Sequence, residues 1–338
     1  MSGKRPLRIL VIFTGGTISS RLSGGAFAMS NAPYQLMERV PEEAFQFVTY
    51  EPIQIFSENM TPEILSGLFG SICEFAADQV FDGMIIAHGT DTLAYTAQLA
   101  NILLSGLGFP IVIMGSKRPL DDPENDGRSN FLNALALITQ VISGVYVVSR
   151  TNDGIDYVHA AGRIMQADAQ TDDFQSYKGD IFGTLRDGIL DKNPAFAQHT
   201  FAYSPGELLT RVAALRICPP HMTVLMLDAC VGMNYRTQDL TRQEFTYVLQ
   251  RLFHSGTACT APEESPYSLL FLQNLCKENH KRLFIAPIES GRIPYTTTDE
   301  LLHAGITPVY NHPVEFVWAG LLVCTWLHLD PDNFFGIG

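Results

Sequence analysis

"LRILVIFTGGTIS" (residues 7–19) decides how the rest of the chain is read. After Arg8, the run ILVIF at 9–13 has no polar residue and no alternation, the pattern of a strand buried on both faces. It ends abruptly in T-G-G-T, where two glycines allow the backbone to turn sharply and another segment to approach it closely. The first threonine, Thr14, stands where the strand gives way to the turn.

Working outward, the same rhythm repeats. "TPEILSGLFGSICEFAADQ" (61–79) reads as an amphipathic helix with Thr61 as N-cap and Pro62 at its first position. "DGMIIAH" (82–88) is a second buried strand, "DTLAYTAQLANILLSG" (91–106) a helix and "PIVIMGS" (110–116) a third strand. "NFLNALALITQVIS" (130–143) is a helix and "GVYVVS" (144–149) a fourth strand. Strands alternating with helices predict an α/β fold, a doubly wound and mainly parallel sheet covered on both faces. Residues 150–210 lose the rhythm and read as hairpins, loops and a connection. It returns with "MTVLMLDAC" (222–230), a helix through 240–253, "SLLFLQNLCKEN" (268–279) and "RLFIAPI" (282–288). The expected organisation is a larger N-terminal domain over 1–200, a linker over 201–215 and a smaller C-terminal α/β domain over 216–338.

Composition limits the function classes. At 46% hydrophobic and 17% charged residues, the 338-residue chain can bury full cores. A formal net charge of −13 argues against nucleic acid or an anionic membrane surface as partner and is neutral about a small molecule. The apolar run behind "MSGKRP" is too short for a secretory signal. The longest apolar segment, "VEFVWAGLLVCTWLHL" (314–329), is short of a membrane span and carries Glu315 and His328. Six scattered cysteines without a C-x-x-C fit free thiols, so the expected location is the cytoplasm, with no metal site.

In an open parallel sheet, ligands bind beyond the carboxyl ends of the strands. Three motifs fall there: T-G-G-T, "HGTDT" (88–92) and "GSKRP" (115–119). Their hydroxyls and carboxylate suit acyl transfer. Each has a purely structural alternative; Asp91, for one, is well placed to cap the helix that follows. No G-x-G-x-x-G and no G-K-[ST] is present, so neither a dinucleotide nor a phosphate loop is expected. No cofactor is expected either.

Taken together, "TGGTI", "HGTDTLAYTA" and "MGSKRP…DGRSNFLNAL" resemble the L-asparaginase family, in particular its cytoplasmic bacterial type I branch. "ESGRIPYTTTDELLHAGI" (289–306) is similar to that family's C-terminal domain. The resemblance implies hydrolysis of the side-chain amide of L-asparagine or a related amide through an acyl-enzyme on Thr14. It also implies that Thr90 touches the substrate and a catalytic lysine, that Asp91 grips the α-amino group and that Ser57 binds the α-carboxylate. Glu58 is implied as a neighbouring substrate contact, and Ser116 as the source of a backbone carbonyl. A homodimer or homotetramer with an amino acid or amide substrate is implied as well.

A threonine hydroxyl needs a base to become a nucleophile. The family draws on a tyrosine in the loop after T-G-G-T and on a lysine bonded to the second threonine. Here the tyrosine position reads as Phe27 and the lysine position as Met165, and neither side chain can accept a proton. Three residues are candidates to compensate: Tyr34, Lys117, and Arg163, which on a strand would share a face with Met165. Loss of a general base costs about 10²–10⁴ in rate. The expectations are therefore an amidohydrolase with an altered proton relay or, alternatively, a catalytically impaired relative that binds an amino acid or acts as a scaffold or regulator. An asparaginase-like component of a tRNA-dependent amidotransferase is a weaker option, because the chain is acidic.

Overall fold

The structure, a computed structural model, describes residues 5–16, 20–23, 26–29, 32–38, 40–77, 79–197, 204–216 and 221–337. The chain forms two compact units, Met1–Pro219 and Pro220–Gly338.

In the first unit the elements run β1 (Leu7–Phe13), β2 (Ser20–Ser23), β3 (Ala26–Met29), β4 (Phe45–Tyr50), α1 (Pro62–Ala77), β5 (Gly83–Ala87), α2 (Leu93–Leu103), β6 (Pro110–Met114), α3 (Gly127–Ile138) and β7 (Gly144–Arg150). They continue with β8 (Asp156–Ala160), β9 (Ile164–Met165), β10 (Gln175–Ser176), β11 (Gly183–Arg186), β12 (Ile189–Lys192) and α4 (Pro205–Val212). Among the described residues, eight strands make one sheet in the order β12-β11-β8-β7-β6-β5-β1-β4. From β4 to β7 all pairings are parallel; β8, β11 and β12 are added antiparallel. The parallel part places the second strand of the series, β4, on one side of β1 and the third, β5, on the other. The strand order therefore reverses at β1, and a crevice opens at the carboxyl ends beside such a switch point.

Burial explains why the parallel strands carry no polar alternation. Ile9 to Ile12, Met84 to Ala87 and Ile111 to Met114 are all fully buried. One face packs Ile9, Val11, Phe13, Ile85 and Ala87 with Phe131, Ala134 and Leu135 of α3. The other face is covered by helices such as α2, in which Leu93, Ala97, Ala100 and Leu103 are fully buried. Each such large aliphatic side chain contributes about 1.5–3 kcal/mol on burial. Helix α1 begins as its sequence predicts, with Thr61 Oγ1 accepting from Ile64 N at 3.3 Å.

Three features differ from the expected organisation. "FQFVTY" gives an edge strand, β4, whose mixed exposure offers no clear pattern. The loop after T-G-G-T contains an antiparallel hairpin, β2–β3. Residues 201–215, expected as a linker, include helix α4, with Ser204 as its N-cap accepting from Glu207 N at 3.3 Å.

The second unit has β13 (Thr223–Asp228), β14 (Phe245–Arg251), α5 (Leu269–Glu278), β15 (Arg282–Ile288), α6 (Thr296–His303), β16 (Thr307–Tyr310), α7 (Val314–Leu327) and α8 (Pro331–Phe335). Its sheet, β13-β14-β15-β16, is wholly parallel. The helix expected through 240–253 is instead β14. Val248, Leu249 and Gln250 are buried consecutively there, which a strand inside a sheet allows and an amphipathic surface helix does not. Among the described residues, no helix is long and apolar enough to cross a membrane. Helix α7 is apolar on nearly every side because it is buried within its unit.

Candidate active site

The turn after β1 is built by close backbone contacts. Gly16 N donates to Ile55 O at 2.9 Å, and Ile55 N donates to Thr14 O at 3.0 Å. Gly15 has φ +100°, and a Cβ there would fall 2.3 Å from Ile55 O. Gly16 has φ +78°, and its Cβ would fall 2.5 Å from Gly89 Cα. A Cβ on Gly89 would lie 2.5 Å from Ser57 Oγ, and one on Gly115 would lie 3.1 Å from both His88 O and Thr90 Cγ2. The glycines of the three motifs therefore interlock, with Ser57 among them. Only residues without side chains let these strand ends meet so closely.

Thr14 is 1% exposed at this junction. Its N–H and its hydroxyl both donate to Ala87 O, at 3.2 and 3.1 Å. A carbonyl orients the hydroxyl without taking its proton. Ser57, buried, lies in a short helical turn over Ser57–Asn59, and its hydroxyl donates to Asp91 Oδ2 at 3.4 Å. Thr92 Oγ1 donates to Ser57 O at 2.9 Å and ties the two turns together. Neither the Thr90–Thr92 turn nor the helix behind it has a side-chain cap, so the capping role of Asp91 is not realised. Asp91 is exposed and faces Ser57, while Glu58 is exposed in Ser57's own turn. A buried serine hydroxyl beside an open carboxylate can receive a ligand carrying both a carboxylate and an ammonium group.

Behind this surface lie two residues that the motifs alone do not single out. His88 is fully buried; its Nδ1 sits 2.7 Å from Gly89 O and its Nε2 3.0 Å from Thr96 Oγ1. A carbonyl only accepts, so Nδ1 carries the proton and Nε2 accepts from Thr96. Burial pushes the imidazole down to about 4 and keeps it neutral. Asp126 joins "GSKRP" to "DGRSN": Oδ1 accepts from Lys117 N at 2.8 Å and from Ser116 Oγ at 3.0 Å, and Oδ2 from Asn130 Nδ2 at 3.0 Å. An Asp directly before a Gly at the start of a helix is the available sequence signal for the second residue. For His88, only its position at a strand end marks it.

The three candidate compensating residues, Lys117, Tyr34 and Arg163, each have an acidic partner. Lys117 Nζ is paired with Asp173 and also donates to Asn152 Oδ1 at 3.0 Å, which ties the 168–173 turn to the sheet. Tyr34 is 44% exposed; its hydroxyl donates to Glu51, which pushes its ionisation upward, and its ring packs 5.4 Å from that of Phe13. Arg163 is not on a strand. It closes a short helical turn over Ala161–Arg163, before β9, so it does not share a strand face with Met165. Buried at 5% exposure, it pairs with Asp180 at 3.2 Å and lies over the Tyr177 ring at 5.0 Å. Met165 is partly buried in β9, and Gln98 Nε2 of α2 donates to the neighbouring Ile164 O at 2.8 Å. Phe27 is on β3, and its side chain lies outside the described residues.

Fold and site define a two-unit α/β protein with a buried threonine hydroxyl and a Ser–Asp pair at the switch point of its larger sheet. Residues 8–194 match the family model described as Asparaginase, N-terminal. The chain is 27% identical over 342 residues to L-asparaginase 1 of Escherichia coli K12, covering 96% of this chain and 94% of that protein. Over 154 residues it is 32% identical to a component of the glutamyl-tRNA(Gln) amidotransferase of Pyrococcus abyssi. That match covers 44% of this chain and only 35% of the amidotransferase polypeptide. The thermostable L-asparaginase from Thermococcus kodakarensis has the same fold, with a TM-score of 0.73, 20% identity and coverage of 98% of this chain and 96% of the other. The chain belongs to the asparaginase family.

Proposed function

We propose that the protein is an asparaginase-type amidohydrolase that takes L-asparagine, or a related amide, into the crevice beside β1 and β5 and attacks it with Thr14. The observation that carries this reading is the interlocked glycine junction. It buries Thr14 at the strand switch point, beside the turns that hold Ser57 and Asp91. In this reading Asp91 holds the α-amino group, Ser57 the α-carboxylate, and Thr90, Glu58 and Ser116 line the remainder. The Thr14 proton then leaves by an altered relay, since the hydroxyl's partner among the described residues is a carbonyl. The product is the side-chain acid, with ammonia released and water consumed.

A second reading, binding with little turnover, is favoured by one observation: Tyr34, Lys117 and Arg163 are each engaged by an acidic partner. A cytoplasmic homodimer or homotetramer accompanies either reading and rests on the family resemblance alone. A tRNA-dependent role is not favoured, given the net charge of −13.

The test is ammonia release from L-asparagine, L-glutamine and related amides, comparing wild type with Thr14→Ala and adding calorimetry of L-aspartate. Release abolished by Thr14→Ala supports the hydrolase. Aspartate binding with no release above the variant's background supports the second reading. Neither release nor binding would overturn both.

A further inference from the structure

His88 is a buried titratable group that the amide chemistry does not use, and both of its nitrogens are engaged. It follows β5, and its own N–H continues the ladder by donating to Met114 O at 2.9 Å. Its main chain is thus fixed in the sheet. From there the imidazole reaches forward to the carbonyl of the next residue, Gly89, at 2.7 Å. On its other side it reaches Thr96 of α2, a residue 0% exposed, at 3.0 Å. The ring therefore spans from strand to helix one peptide behind the turn over Thr90–Thr92.

The position of that peptide matters because it has no slack in front. Gly89 abuts Gly16 and Ser57 so closely that even a Cβ would collide. Thr92 Oγ1 anchors the far side of the turn to Ser57 O at 2.9 Å. With the imidazole bonded behind and Ser57 in front, the peptide plane leading to Thr90 and Asp91 is held from both sides. Both nitrogens being committed, the ring cannot also act as the base for Thr14.

We propose that His88 is a positioning residue for this site: by donating Nδ1–H to the Gly89 carbonyl while Thr96 holds Nε2, it sets the orientation in which the Thr90–Thr92 turn presents Asp91 beside Ser57. The proposal rests on the amidohydrolase reading only for the identity of the ligand; the brace itself concerns this chain alone.

Two substitutions separate positioning from packing. The side-chain amide nitrogen of Asn can occupy the place of Nδ1, and that of Gln the place of Nε2. His88→Asn therefore keeps a donor for Gly89 O, whereas His88→Gln loses it and retains only the contact toward Thr96. L-Aspartate affinity, measured by calorimetry, is expected to fall about tenfold in His88→Gln, the size of one lost buried hydrogen bond, and to stay within about threefold of wild type in His88→Asn. If turnover is measurable, the loss in His88→Gln falls on KM more than on kcat, and His88→Asn restores it. Equal loss in both variants, or none in either, would overturn positioning.

Two readouts do not depend on any ligand. Long-range ¹H–¹⁵N spectra of the wild type are expected to show His88 protonated at Nδ1, and a proton on Nε2 would overturn the brace. Amide exchange at Thr90–Thr92 is expected to speed up in His88→Gln and not in His88→Asn, and equal rates in the two would also overturn it. Should wild type bind no aspartate, the amidohydrolase reading fails while these two measurements still decide the role of His88.

Discussion

Lowering the pH from about 7 to about 5 should destabilise the first unit through two buried imidazoles. His88 and His159 are both essentially inaccessible, and burial pushes each down from 6.5 to about 4. His159 lies between Ser149 Oγ at 3.2 Å and Ser176 Oγ at 2.9 Å, two neutral partners that do not favour its charged form. In the unfolded chain each imidazole takes up a proton below 6.5, whereas in the fold it resists down to about 4. Between those values the unfolded state binds more protons, so stability is full above 6.5 and is lost as the pH falls. At about pH 5 the loss is about 2 kcal/mol per histidine and about 4 kcal/mol for the pair. Asp82, Asp168 and Asp239 are held below the usual 3.8, chiefly by hydrogen bonds, so their support is lost only at lower pH and lies outside this window. Urea unfolding at both pH values, followed by a probe in the first unit, measures the effect. His159→Gln, which cannot take up a proton, should remove about half of the pH dependence whatever its effect on stability at neutral pH. A midpoint that does not move between the two pH values, or an undiminished pH dependence in His159→Gln, would refute the reasoning.

Other outcomes follow from the same geometry. Gly16→Ala combines an unfavourable φ of +78° with a Cβ 2.5 Å from Gly89 Cα, so it should cost about 2 kcal/mol or more and weaken aspartate binding, as read by thermal melting and calorimetry. Lys117→Met should lower stability by about 1–3 kcal/mol, because it strands Asp173 in a partly buried pair, yet leave ammonia release within about tenfold. Abolished release in a folded Lys117→Met would instead make Lys117 the base. Arg163→Met should cost about 2 kcal/mol or more in denaturant unfolding, since Asp180 and the Tyr177 ring both lose the guanidinium, and unchanged stability would contradict that role. Thr14→Ala should lower ammonia release at least about a hundredfold with little change in stability, because the hydroxyl bonds to a carbonyl that keeps the Thr14 N–H.

The α/β class was legible because buried parallel strands leave an unbroken apolar signal: ILVIF, GMIIA and PIVIM, each between turn residues and alternating with helix-length segments, all form strands. The glycine motifs were legible because close backbone approach tolerates no other residue type. Strand β14 misled because a short apolar run beginning "FTYVL" has no period of its own, and its pairing with β13 and β15 decides its conformation. Edge strand β4 was invisible for a related reason, since among the described residues it pairs on one side only, with β1, and its burial is mixed.

The sequence by itself determined which residues stand at the carboxyl ends of the strands, because strand ends and glycine turns are local properties. It also determined that Phe27 and Met165 bring no proton acceptor to their places in the chain. Tertiary structure alone decided what each polar side chain touches: Lys117 turned to Asp173, Arg163 to Asp180, Tyr34 to Glu51, and His88 locked between Gly89 and Thr96. Those partners lie from 1 to 56 residues apart, and a long side chain selects among them by burial and charge after the sheet has closed, which no local pattern encodes.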